Sequence, residues 1–217
     1  MPPRRSPRLP ALLAGVALLG LLALVLALTS GGKKGSSSLA VSGSPGSGFE
    51  GAALPSPVSV PDFRLRDQYG RPVSLAALRG GPVVVAFLYP GCGASCVLIA
   101  EQIRGALDDL AHPVPVVIVD AGPSPASPAA VKRFLHETSL TGRVLYLDGT
   151  QAELRSIWHA YHVVPASAGS AAFGAAAEVR LLDAGGRERV VFGTEQLSPD
   201  ALAHDIRRLQ AEGSQGG

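Results

Sequence analysis

The chain's only two cysteines lie in "YPGCGASC", Tyr89 to Cys96, with three residues between Cys92 and Cys96. They follow directly on the apolar run "VVVAFL". Two thiols this close support three chemistries. A structural disulfide is the plainest, but a bridge over so short a loop restricts the unfolded chain little. Even a loop of ~15 residues gives only ~3 kcal/mol. Thiol–disulfide exchange is the second. A cysteine at a helix start is drawn toward its thiolate by unpaired backbone N–H groups and the helix dipole. A second cysteine one turn onward then resolves the mixed disulfide. In that reading Cys92 is the nucleophile and Cys96 the resolving thiol, and Gly91 and Gly93 let a partner chain come close. Metal binding is the third. Paired thiolates suit a soft ion such as Cu(I), and a trigonal or tetrahedral site needs a further ligand.

The elements around the pair are legible from periodicity. "PVVVAFL" (82–88) is a continuous β-branched run, as in a strand buried on both faces. After the cysteines, Ile99, Ile103, Leu107 and Leu110 fall on one helical stripe. "VPVVIVD" (114–120) and "RVLYLD" (143–148) read as further strands. Ser127 caps a helix that opens on Pro128, and Thr150 with Glu153 forms a capping box for the next. "DFRLRDQYGRPVSL" reads as a hairpin turning at Gly70, and "EVRLLDAGGRERVVF" as another turning at 184–186. Ser198 and Pro199 begin a last helix, to about residue 211. This α/β order predicts a central mixed sheet flanked by helices on both faces. The cysteines sit beyond the carboxyl end of a strand, where such sheets gather their chemistry.

Upstream, Arg4, Arg5 and Arg8 precede an uncharged apolar stretch, Leu9 to Ser30. A bilayer-crossing helix needs roughly 20 such residues, and the leading arginines favour a cytoplasmic N-terminus. Residues 1–30 are therefore expected to be a single-pass membrane anchor, with a cleaved signal peptide ending near "VLA" (25–27) as the alternative. Residues 31–57, rich in Gly, Ser and Pro, read as a flexible linker. The folded domain is expected over 58–212, about 155 residues and enough for one core, with a disordered tail at 213–217. That places the domain outside the cytoplasm, where disulfides persist. The net charge of +2, with no dense basic face, gives no reason to expect a nucleic-acid partner.

The stretch "FRLRDQYGRPVSLAALRGGPVVVAFLYPGCGASC", continued by "VVIVDAGPSPASPAAVKRFL" and "LLDAGG", resembles the Sco/SenC family. The resemblance implies a thioredoxin-like fold and a membrane anchor. It also implies work on cytochrome c oxidase: delivering copper to the CuA site, or reducing that site's cysteines. The client would be a protein with thiols or a copper site, such as an oxidase subunit, and the cofactor, if any, Cu(I). Family members with copper use a third ligand, a histidine expected near Ala175, where "GSAAFGAAAEVRLLD" has none. Of the histidines present, His162 is the candidate metal ligand beside Cys92 and Cys96. His159 shares its helix end, while His112, His136 and His204 read as solvated. The missing histidine favours a thiol–disulfide oxidoreductase over a copper chaperone. A non-catalytic binding module remains a third alternative.

Overall fold

The computed structural model describes residues 46–167, 173 and 177–215. In chain order the elements are β1 (Ala52–Ser59), β2 (Arg64–Arg66), β3 (Pro72–Ser74), β4 (Val83–Leu88), α1 (Ala94–Asp108), β5 (Val116–Asp120), α2 (Pro128–Glu137), β6 (Leu145–Leu147), α3 (Gln151–Ala160), β7 (Val179–Leu182), β8 (Arg187–Phe192) and α4 (Pro199–Gln215). Six strands form one mixed sheet in the order β1-β8-β7-β4-β5-β6. The pairs β4–β5 and β5–β6 are parallel, and β4–β7, β7–β8 and β1–β8 are antiparallel.

β4 lies inside the sheet and all six of its side chains are buried. A strand covered on both faces needs an unbroken apolar run, which is why no alternation appears in "VVVAFL". The parallel crossovers through α1 and α2, with the usual right-handed sense, lie on one face. α4 packs beside α1, closely enough that a Cβ on Gly105 would come 2.8 Å from Pro199. α3 returns across the other face, where the Tyr161 ring meets Phe87 at 5.3 Å between centroids. The expected caps are in place: Ser127 accepts from the Ala130 N–H, and Thr150 and Glu153 form the reciprocal capping box.

The hairpin β2–β3 closes the β6 edge. Gln68 donates to the Val144 carbonyl and accepts from the Tyr146 N–H, and Arg66 bridges to Asp148. The buried carboxylate of Asp67 holds its turn, accepting from the N–H groups of Tyr69 and Arg71 and from Arg71 Nε. Covering an edge in this way removes a site for unwanted strand pairing.

Two sequence expectations need correction at the domain's limits. The stretch read as linker to residue 57 joins the fold earlier, because Ala52–Ser59 is strand β1 on β8. The physical reason is local. The N–H groups of Glu50 and Gly51 both donate to the Asp205 carboxylate, and Phe49 packs between the guanidinium groups of Arg189 and Arg208. Composition alone does not reveal such tertiary anchors. At the other end α4 runs to Gln215, so the expected tail at 213–217 begins inside a helix. The proposed anchor, residues 1–30, lies outside the described residues. Among those described, no helix is long and apolar enough to cross a membrane.

Candidate redox site

β4 ends at Leu88, and the chain turns sharply before α1. The Cys92 N–H donates to the Tyr89 carbonyl at 3.2 Å. Gly93, the N-cap of α1, has φ +75, a value that L side chains rarely adopt. Nothing lies within 4 Å of a Cβ built there, so backbone conformation rather than space calls for glycine. No side chain caps α1 and no acid stands in its first turn. The partial positive charge of the helix start is therefore left facing the cysteine just before it.

Cys92 and Cys96 are disulfide-bonded, with Cα atoms 5.7 Å apart, inside the ordinary range. Their surroundings differ. Cys96 is 1% exposed and belongs to the core, whereas Cys92 is half-buried at the surface. A partner sulfur can thus reach Cys92 and not Cys96. Neither cysteine borders any of four cavities lined by the described residues. One of about 310 Å³ lies at the far end of the sheet, between the start of β4 and α4. The disulfide opens onto surface, which suits a macromolecule that presents its own sulfur better than an engulfed small molecule.

Several contacts fix the segments at the ends of β4 and β5, beside the cysteine turn. Asp120 ends β5 opposite Leu88, and its buried carboxylate accepts from the N–H groups of Gly122 and Ala126. Burial pushes its pKa up, with the Asp148 charge adding to the effect, against the pull of those two hydrogen bonds. Burial, followed by the Asp120 charge, pushes the pKa of the buried Tyr146 hydroxyl up as well. The Trp158 indole donates to the Asp120 carbonyl, and the Ala166 N–H to Ala121, which holds the segment after α3 over the top of β5. The Phe173 ring meets Tyr89 edge-on at 5.4 Å.

His162 follows α3 with φ +54 and is exposed. It lines a crevice of about 120 Å³ with Phe87, Val163, Val164, Phe173 and Glu178. His112, His136, His159 and His204 are also exposed. Among the described residues no three His, Cys, Asp or Glu side chains are grouped to hold a metal ion, so His162 and the two sulfurs do not form a three-donor set as they stand. Sequence reasoning missed the Tyr89–Phe173 contact and the crevice behind it. Neither carries a local pattern, since both arise from a long connection folding back.

The SCO1/SenC family model matches residues 52–211, most of the chain and all of the sheet. The chain belongs to the SCO1/SenC family. Bradyrhizobium japonicum ScoI with copper bound is 26% identical and superposes with a TM-score of 0.53 over 69% of this chain and 98% of that one. BsSco, a member of the Sco family of cytochrome c oxidase assembly proteins, is 18% identical with a TM-score of 0.63, over 72% of this chain and 95% of its own. Yeast Sco1 with copper bound is 19% identical with a TM-score of 0.58, over 70% and 88%. No curated protein matches in sequence. Within the SCO1/SenC frame the fold is thioredoxin-like, and the cysteine pair occupies the turn from strand to helix. The position near Ala175, where a third copper ligand is expected, lies outside the described residues. The sequence has no histidine between His162 and His204.

Proposed function

We propose that this SCO1/SenC protein is a thiol–disulfide oxidoreductase acting on protein clients outside the cytoplasm, tethered to the membrane by residues 1–30. The observation that carries the reading is the asymmetric pair: one sulfur at the surface beside an uncapped helix start, its partner buried behind it. In the reduced form the Cys92 thiolate attacks a client disulfide. A bond forms between Cys92 and one client sulfur, and the other client sulfur leaves as a thiolate and takes up a proton. The Cys96 thiolate then attacks the Cys92 sulfur, closing the internal disulfide and releasing the second client thiol. The client gains two electrons and this chain loses two, so an external dithiol must reduce Cys92–Cys96 for the next turnover. A cytochrome c oxidase subunit with paired CuA cysteines is the client that the family membership favours.

A second reading rests on the same sulfurs. Reduced, they are two soft donors side by side, and the copper-bound ScoI relative supports Cu(I) as cargo. The donor set is short of a third member. The only methionine is Met1, and the candidate His162 stands apart from a grouped site, so the client is the better source of the last ligand. Anaerobic titration of the reduced protein with Cu(I) against a competing chelator separates the readings, with Cys92→Ser/Cys96→Ser as control. Catalysed reduction of a protein disulfide without retained copper upholds the exchange reading. Stoichiometric retained copper without reductase activity overturns it in favour of the chaperone.

A further inference from the structure

The chain segment that carries the reactive sulfur and the connection after α3, as far as Ala177, are both without charged residues. From Gly80 to Ala100 and from Ser156 to Ala177 the sequence contains no Asp, Glu, Lys or Arg. The crevice, lined by Phe87, His162, Val163, Val164, Phe173, Ala177 and Glu178, therefore has one carboxylate, that of Glu178. Its position relative to the disulfide follows from Tyr89. The Tyr89 ring packs on Phe173 of the crevice, and its carbonyl accepts the Cys92 N–H. The crevice and the half-buried sulfur thus flank the same residue. Val164, on the crevice rim, is 82% exposed.

Glu178 has negative charge to offer. One of its oxygens accepts from Arg180 Nη2 at 2.7 Å, but Arg180 Nη1 is also held by both carboxylate oxygens of Glu188, at 2.9 and 3.1 Å. Two carboxylates share one guanidinium, and the Glu178 side chain is the reachable one, 42% exposed against 7% for Glu188. Walls that are apolar except for the exposed His162 imidazole, ending at a carboxylate, match a long aliphatic stem with a cationic head, the form of lysine and arginine.

We propose that this crevice receives a lysine or arginine side chain of the client polypeptide, close in its sequence to the cysteine that Cys92 engages. The inference rests on the exchange reading above. It adds a selectivity: clients with a cation beside the reactive sulfur are favoured over those with an anion.

The test uses the reduced full chain and short synthetic peptides that each contain one cysteine blocked as a mixed disulfide with thionitrobenzoate, flanked by lysine, alanine or glutamate. Release of the coloured thiolate gives the rate, and glutathione run on the same peptides corrects for their intrinsic reactivity. The lysine peptide is expected to react about five-fold faster than the glutamate peptide beyond that correction, the scale of a partly exposed charge pair. Glu178→Gln should remove the preference between the lysine and glutamate peptides. Val164→Lys, on a side chain 82% exposed, should likewise abolish it, since the added cation offsets the Glu178 charge. Equal corrected rates for the three peptides, or a preference that survives both substitutions, overturn the subsite while leaving the exchange chemistry intact. No release from any peptide overturns the exchange chemistry and the subsite with it.

Discussion

Cys92 and Cys96 share a bond but not an environment, since Cys96 is 1% exposed inside the core while Cys92 is half-buried at the start of α1. That difference assigns the roles. Attack on a client, or by a client, runs through Cys92, and Cys96 can reach only Cys92. Cys96→Ser should therefore accumulate a mixed disulfide with a disulfide-bearing peptide, visible by mass spectrometry, and Cys92→Ser should form none. In the reduced wild type, an alkylating reagent should modify Cys92 about tenfold or more ahead of Cys96, as exposure and thiolate character dictate. Labelling of Cys96 first would reverse the assignment.

Reduction should not unfold the domain. The bridge spans a sequence separation of 4, and closing so short a loop contributes about 2 kcal/mol at most on the chain-entropy account. The core around β4 and β5 does not depend on it. Urea titrations of the oxidised and reduced forms should give cooperative transitions of similar slope, offset by about that amount. Loss of cooperativity on reduction would return the pair to a purely structural role.

Most of the scaffold was legible because it is written in local patterns. The β-branched runs of β4 and β5, the Ser127 and Thr150 caps and the Gly70 turn each state their element within a few residues. The cysteine turn was legible for the same reason, with the apolar strand before it and the Ile99 and Ile103 stripe after it. What was hidden depends on residues far apart in sequence. β1 joins the sheet because Asp205, in the last helix, receives the Glu50 and Gly51 N–H groups. The crevice at Glu178 is walled by Phe173, which meets Tyr89 from far along the sequence. Gly- and Ala-rich composition gives no sign of either.

The Asp205 contact ties the start of β1 to the last helix. Its carboxylate is fully buried and accepts both N–H groups at 2.9 Å. Asp205→Ala leaves two donors without a partner at the start of β1, a loss of about 2 kcal/mol. It should also open the first strand to protease. Urea denaturation and limited proteolysis check both effects, with new cleavage expected between Glu50 and Ser59. An unchanged midpoint and cleavage map would mean that β1 is held by its pairing with β8 alone.

Two buried carboxylates should make opposite contributions to the pH dependence of stability. Burial pushes the pKa of Asp67 up, but the N–H groups of Tyr69 and Arg71, the Arg71 side chain and its charge together hold it below the usual carboxylate range. A group lowered on folding contributes stability that is present above its unfolded pKa and lost as pH falls through the folded value. Asp120 is the reverse case, because burial outweighs its two hydrogen bonds and the folded pKa is raised. Its folded state holds a proton that the unfolded state has released. Stability is therefore lost as pH rises from the ordinary carboxylate range through that raised value. Asp67→Asn should flatten the decline of stability toward acid, and Asp120→Asn should remove a decline that begins as pH rises above the ordinary carboxylate range. Unfolding free energies from urea titrations across that range give both slopes. An acid decline unaltered in Asp67→Asn would show that other carboxylates, such as Asp183 with its Arg187 and Gly185 donors, carry the acid sensitivity.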